Sequence, residues 1–185
     1  LNLNMAFTNS DNNSPNSGSV PGGAFNSSGL GRIAFALSPN LAVRNANGTY
    51  NYTLNSVGSG NNLIGTSWSH PSVLIEHDRN ISETTRFLTN LGAEVKIIDG
   101  LSLKSTYSWD KSYTENIRYW NPFQGDGYSA GGNAFNSLIR RNSWNWITTF
   151  QYNKTFGDHH FNAQVGSDFQ NTRTLSWGAL RTGLL

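Results

Sequence analysis

Polar and apolar side chains alternate with a period of two along several stretches of the chain. This alternation is the pattern of a β-strand that has one polar face and one apolar face. It covers residues 1–8, 83–97, 101–113, 143–154 and 160–170. The sequence therefore predicts five strands and an all-β fold.

The second of these stretches also fits a helix, because Phe87, Leu91 and Val95 would share one helical face. Gly92 lies inside the stretch, and only Asp99-Gly100 separates it from the third stretch. Asp-Gly is a strong signal for a tight turn between antiparallel strands. These features favour a hairpin over the helix.

The connections between the predicted strands alternate between long and short. The long links cover residues of about 10–80 and 119–140, and the short ones are Asp99-Gly100 and Gly157-Asp158. Outer-membrane barrels have short turns on the periplasmic side and long loops on the outer side. The first, third and fifth strands would then run outward, and the long links would be extracellular loops.

The two faces of the predicted strands differ in charge. Ionisable side chains in the middle of the strands fall on the polar face: Arg86, Glu94, Lys96, Lys104, Asp110 and Asp168. Lys111 and Lys154 are on the apolar face near strand ends, where a long cationic side chain can snorkel. At mid-depth, a Lys or Arg that faces lipid costs about 2–4 kcal/mol. The distribution of charge fits a face in contact with lipid.

Aromatic side chains concentrate on the apolar face, as in the girdle of a membrane barrel. They are Tyr107, Trp109, Tyr113, Trp144, Trp146, Phe150, Tyr152 and Phe161. The polar face suits a wide, wet lumen of the kind found in barrels of about 22 strands, which five strands cannot close. We therefore expect residues 1–185 to be part of one antiparallel transmembrane β-barrel domain, with the plug domain and the remaining strands outside this chain. A sandwich core with one polar outer face is the alternative.

Composition narrows the class of protein. Asn, Ser, Gly and Thr make up 81 of the 185 residues, while charged residues are 13% and the formal net charge is +2. Such a chain has too little Ala, Glu, Lys and Leu for a coiled coil, and it shows no basic stripe that would bind nucleic acid. Cysteine is absent, so neither a disulfide nor a thiolate metal site can form. The longest apolar runs are far shorter than a membrane helix needs.

Several pieces of the chain, in their order, resemble the barrel of SusC/RagA-like TonB-dependent outer-membrane transporters. The pieces include Ala34-Phe-Ala-Leu-Ser-Pro39, Val43-Arg-Asn-Ala-Asn-Gly-Thr-Tyr50, the stretch from Thr85 to Leu101, and Tyr119-Trp-Asn-Pro122. The resemblance implies TonB-dependent import of oligosaccharides or peptides across the outer membrane of a Bacteroidetes-type bacterium. It also implies a plug domain, TonB and a SusD-like surface lipoprotein as partners, with neither the plug nor the TonB box in this chain.

The candidate ligand contacts are aromatic residues in the long links and one basic residue immediately before the second long link. They are Trp68, Arg118, Tyr119, Trp120, Phe123 and Tyr128. Aromatic faces stack on sugar rings and on peptide side chains, although each ring could instead pack within the loops. Arg140-Arg141 could hold polar groups of the substrate or of the lipoprotein.

No constellation for catalysis is visible. His159-His160 and Glu76-His77-Asp78 lack a further ligand of the kind that a metal site needs. No pair of carboxylates is spaced for hydrolysis of a glycoside. We therefore expect a transporter with no enzymatic activity, cofactor or metal. The alternatives are a secreted β-sandwich or lectin-like binding module, and an outer-membrane adhesin or passive porin.

Overall fold

The protein is all-β in a computed structural model that describes residues 1–15, 30, 33, 35, 37–58, 61, 63 and 69–184. Trp68 lies outside the described residues. The elements are β1 (Asn2–Asn13), β2 (Tyr52–Thr53), β3 (Ser56–Val57), α1 (Pro71–His77), β4 (Arg79–Ile98), β5 (Leu101–Trp120), a 3-10 helix (Gly125–Ala130), β6 (Asn133–Phe156) and β7 (His159–Thr182). Within these ranges, no helix has the length and apolar character of a membrane span.

The five long strands form one sheet in the order β1-β4-β5-β6-β7, and β2 and β3 form a small antiparallel pair. Side-chain contacts show the antiparallel arrangement of β1 and β4, because Asn80 bonds to Ser14 whereas Thr85 bonds to Asn9. All five predicted strands are confirmed, and β4 is a strand rather than a helix.

The two short connections are tight turns, as predicted. Gly100 and Gly157 have φ values of 85° and 59°, in the left-handed region that favours glycine. The strands extend further than the alternation indicates, most of all at the end of β7, which continues twelve residues beyond the predicted end at residue 170. Where the end of β5 meets the start of β6, Asn136 Nδ2 donates to Glu115 Oε1 at 2.8 Å, and Asn116 Nδ2 donates to Ser137 Oγ at 3.3 Å.

Cross-strand contacts join polar side chains on one face of the sheet and aromatic side chains on the other. On one face Arg86 donates to both carboxylate oxygens of Asp110, at 2.8 and 2.6 Å. On the other face the rings of Tyr107 and Trp144 stack with centroids 6.4 Å apart. The sheet therefore has the polar face and the apolar face that the alternation predicts. The expectation that Lys111 lies near a strand end is wrong, because β5 continues to Trp120 and Lys111 lies in its middle.

The chain divides into two compact units, which we call the strand unit and the loop unit. The strand unit comprises Leu1–Ser10, Thr84–Thr114 and Leu138–Ser176, and the loop unit comprises Asp11–Glu83, Glu115–Ser137 and Trp177–Leu185. Large apolar side chains of the strand unit are exposed, among them Phe7 (70%), Val165 (69%) and Phe169 (57%). The buried apolar side chains lie in the loop unit: Ile33, Val57, Val73, Leu74 and Trp120.

Candidate functional site

Helix α1 positions part of a group of buried polar side chains in the loop unit: His70, Asp78, Asn121 and Gln124. His70 caps its start, because the Nδ1 atom of His70 accepts a hydrogen bond from the Ser72 amide at 3.2 Å, and Pro71 occupies the first turn. At the other end the Asp78 amide donates to the Leu74 carbonyl at 2.9 Å. Leu74 is a buried residue of this short helix, and Asp78, which follows the helix, is buried as well.

Asp78 holds the turn that follows β5. Its Oδ1 atom accepts hydrogen bonds from the Asn121 amide at 2.9 Å and from Asn121 Nδ2 at 2.6 Å. The Asn121 side-chain oxygen in turn accepts from the amides of Phe123 and Gln124, both at 2.9 Å. The second carboxylate oxygen of Asp78 is buried without a hydrogen-bond partner among the described residues.

The surroundings of Asp78 favour its protonated form. Burial raises the pKa of this carboxyl to about 6, and the negative charge of Asp126 acts in the same direction. The hydrogen bonds from Asn121 and the positive charge of Arg79 oppose this rise in pKa without cancelling it. The carboxyl therefore changes charge in the range just below neutral pH.

The buried side chain of Gln124 joins three segments of the loop unit. Its Oε1 atom accepts from the His70 amide at 2.8 Å, and its Nε2 atom donates to the Ser56 carbonyl at 3.1 Å. Gly127 lies so close that a Cβ atom there would come within 2.4 Å of the Asn121 carbonyl oxygen. This close backbone approach requires glycine.

Four rings of the loop unit contact one another in succession, and we call Tyr52, Tyr50, His77 and Phe123 the aromatic row. Centroids are 6.3 Å apart for Tyr52 and Tyr50, 5.7 Å for Tyr50 and His77, and 5.5 Å for His77 and Phe123. Phe123 is 42% exposed and the other three rings are half-buried. The row therefore offers ring surface to solvent while it also packs the loops together.

Opposite charges flank the aromatic row. The guanidinium carbon of Arg44 lies 4.1 Å from the centroid of the Tyr50 ring, and Arg44 Nη2 lies 3.4 Å from Glu76 Oε2. The Tyr50 hydroxyl donates a hydrogen bond to the same carboxylate. Aromatic faces next to a donor and an acceptor can contact sugar rings and their hydroxyls, or peptide side chains and their amides.

The predicted ligand contacts lie in different surroundings. Phe123 is part of the aromatic row, whereas Trp120 is buried as a core residue of the loop unit. Arg118 is exposed, and Tyr119, which follows it on β5 and so projects from the other face, is half-buried. Tyr128 is half-buried in the 3-10 helix. A role in ligand contact remains a prediction for each of them.

Sequence reasoning missed most of the aromatic row. Tyr50 ends one of the pieces quoted above, but nothing in the sequence indicates that it meets His77. Arg140, predicted to face a substrate or the lipoprotein, has its guanidinium carbon 6.0 Å from the Tyr113 ring centroid, on the apolar face. The described ranges contain no group of three or more acidic, His or Cys side chains that could hold a metal ion.

Comparison with known proteins supports a relation to one family of receptors. No protein-family model matches the chain. The TonB-dependent receptor P3 of Formosa agariphila is 27% identical over 143 residues, which are 76% of this chain and 13% of that receptor. The chain thus spans a small part of the length of this relative. The similarity supports the TonB-dependent receptor family, and the antiparallel all-β sheet is consistent with a segment of its barrel.

Proposed function

We propose that this chain forms part of the barrel wall and the outer loops of an outer-membrane transporter that imports oligosaccharides or peptides with energy delivered through TonB. One observation carries the proposal. The sheet of a chain similar to a TonB-dependent receptor has one polar and one apolar face on strands of 20 to 24 residues. A membrane-spanning strand needs about 9–11 residues. Strands of this length can cross the membrane and extend beyond it.

The distribution of side chains supports contact with lipid on one side. In water, the exposed rings of Phe7 and Phe169 would belong to a large apolar patch, which water-soluble monomers rarely display. In the outer membrane, hydrocarbon covers that face. The paired charges of Arg86 and Asp110 then face the wet lumen. A secreted sandwich would instead bury the apolar face between two sheets.

The two edge strands support a larger sheet. All residues of β1 and β7 are exposed, and each of these strands has only one neighbour in the described sheet. Long free edges promote pairing with further strands, and a barrel leaves no free edge. The remaining strands, the plug and the TonB-binding segment belong to the rest of the receptor in this proposal. The aromatic row belongs to the outer loops, where substrate and a SusD-like lipoprotein would arrive.

A growth experiment tests the proposal in the source bacterium. The gene is deleted, and growth is measured on a panel of soluble oligosaccharides and peptides, each supplied at a limiting concentration. We expect growth on at least one of them to be lost and to return with the wild-type gene. Complementation with Phe123→Ala should restore less growth than Ser129→Ala, a matched change at an exposed residue of the 3-10 helix.

Uptake measurements separate active transport from the alternatives. Uptake of the identified substrate should stop when a protonophore dissipates the proton gradient, since TonB draws on that gradient. Uptake that continues unchanged indicates a passive porin. Unimpaired growth of the deletion strain on the whole panel contradicts import as the function. A full-length protein that is monomeric in buffer without detergent identifies a secreted module instead.

A further inference from the structure

Three basic side chains project from the apolar face of the strand unit. Lys111 Nζ lies 5.8 Å from the ring centroid of Trp109 and 5.1 Å from that of Tyr113. The Arg140 guanidinium carbon lies 6.0 Å from the same Tyr113 ring. Arg173 on β7 has the same alternation phase as the apolar residues of its strand. Two cations therefore flank one ring, with a third on the neighbouring strand.

These residues line one shallow cavity. Its volume is about 220 Å³, and its walls include Trp109, Tyr113, Leu175 and four basic residues, Lys111, Arg140, Arg141 and Arg173. Arg141 has the alternation phase of the polar face of β6, and we call the other three, Lys111, Arg140 and Arg173, the cationic cluster. The cavity opens on the face that carries the exposed apolar side chains of the strand unit, so a molecule in it would also contact that face.

The cationic cluster has no counter-ion within the described chain. None of its three members takes part in the ion pairs of the described residues. The acidic side chains on the strands of this unit project from the polar face, and Asp110 is already paired with Arg86. Adjacent positive charges repel one another, and an anion among them removes the repulsion. The cavity is therefore matched to a negatively charged group.

The depth of the cluster matches a membrane interface. Lys111 follows Gly100, in the short turn, by eleven residues. Eleven residues extend about 36 Å along a strand and, at a tilt near 45°, about 26 Å along the membrane normal, close to the apolar band of about 25 Å. If the short turn lies at the inner surface, Lys111 lies where lipid head groups of the outer leaflet begin. Trp and Tyr are enriched at that depth.

We propose that the cationic cluster binds the phosphate of an anionic lipid in the outer leaflet. Arg presents a planar fork of donors to phosphate oxygens, and Lys adds a point charge. The acyl chains of the same lipid would run along the apolar face below. This inference rests on the proposed function, because it requires that the apolar face meets lipid.

Lipid binding to the full-length receptor in detergent tests the inference. Native mass spectrometry compares titrations with dioleoylphosphatidylglycerol, which is anionic, and dioleoylphosphatidylcholine, which is not. The variant Lys111→Gln/Arg140→Gln should bind phosphatidylglycerol at least tenfold more weakly than the wild type. The matched control Lys96→Gln/Lys104→Gln removes the same charge from the polar face and should change binding less than twofold.

Other outcomes overturn the inference. Equal loss in both double variants shows that only overall charge matters. Displacement of the lipid by 10 mM inorganic phosphate shows a site for the free ion. If the first variant fails the heat-dependent gel shift of a folded barrel, Arg173→Gln takes its place, and unchanged binding then overturns the inference.

A receptor that does not enter lipid nanodiscs contradicts the proposed function as well, whereas one that enters without lipid preference contradicts this inference alone.

Discussion

Replacing Asp78 by Asn is expected to remove most of the pH dependence of the loop unit. The two side chains have the same shape, and the amide oxygen of Asn can still accept both hydrogen bonds from Asn121. Only the capacity to carry charge is lost. Because Asp78 is 7% exposed, its ionised form is poorly solvated, and the wild-type loop should open more easily when that form predominates.

The pKa of Asp78 gives the size of the effect. The carboxyl has a pKa of about 6 in the folded loop and 3.8 when solvated, so the folded state holds the proton more tightly. Stability is therefore greatest below pH 4 and falls as pH rises through 6, by about 3 kcal/mol in total. Roughly half of this loss lies between pH 5 and 8, which is about a tenfold change in the opening equilibrium.

Hydrogen exchange of the Asn121 amide measures this opening in the full-length protein. After correction for intrinsic exchange, wild-type protection should fall about tenfold from pH 5 to 8, whereas protection in Asp78→Asn should stay level and be higher at pH 8. Asp78→Ala removes the acceptor and should lower protection at every pH, by about 1–3 kcal/mol. Protection that rises with pH in the wild type, or an equal slope in Asp78→Asn, would refute the reasoning.

Three further substitutions test the loop unit and the sheet. Gly127→Ala drives a Cβ atom into the backbone and should raise protease cleavage of the loops, whereas Ser129→Ala on the same 3-10 helix should not. Gln124→Leu leaves two backbone groups without their partners and should cost about 1–3 kcal/mol of local stability, measured by hydrogen exchange; native-like exchange would contradict its joining role. Ala163→Arg puts a charge on the apolar face six residues beyond Gly157, near the middle of the apolar band, and should cost about 2–4 kcal/mol in urea titrations of folding into phosphatidylcholine vesicles. Gln164→Arg, on the polar face, is the control, and equal effects of the two would argue against contact with lipid.

The extent of the strands shows where sequence reasoning reaches its limit. Alternation predicted the strand of residues 101–113, and the structure continues it to Trp120. The added residues have no clean alternation of their own. Asn116 and its neighbours are held in the ladder by partners on β6, such as Ser137, which the sequence of β5 alone cannot reveal.

The aromatic row shows the same limit at the candidate site. Phe123 was predicted as a ligand contact because it is an aromatic residue in a long link. Its contact with His77, and the contact of His77 with Tyr50, join segments that are far apart along the chain. The sequence did not predict the contacts of His77, because an imidazole occurs in solvated loops as well as in contacts between rings.

The sequence by itself determined the all-β class, the five long strands, their tight turns and the separation of polar from apolar faces. Successive side chains of a strand point to opposite faces of the sheet. Neighbouring residues therefore differ in polarity when the two faces meet different environments. Only the tertiary structure decided which loop residues meet, how Asp78 becomes buried, and that basic residues of three strands share one cavity. Those contacts arise from chain segments brought together by folding, and no local period along the chain encodes them.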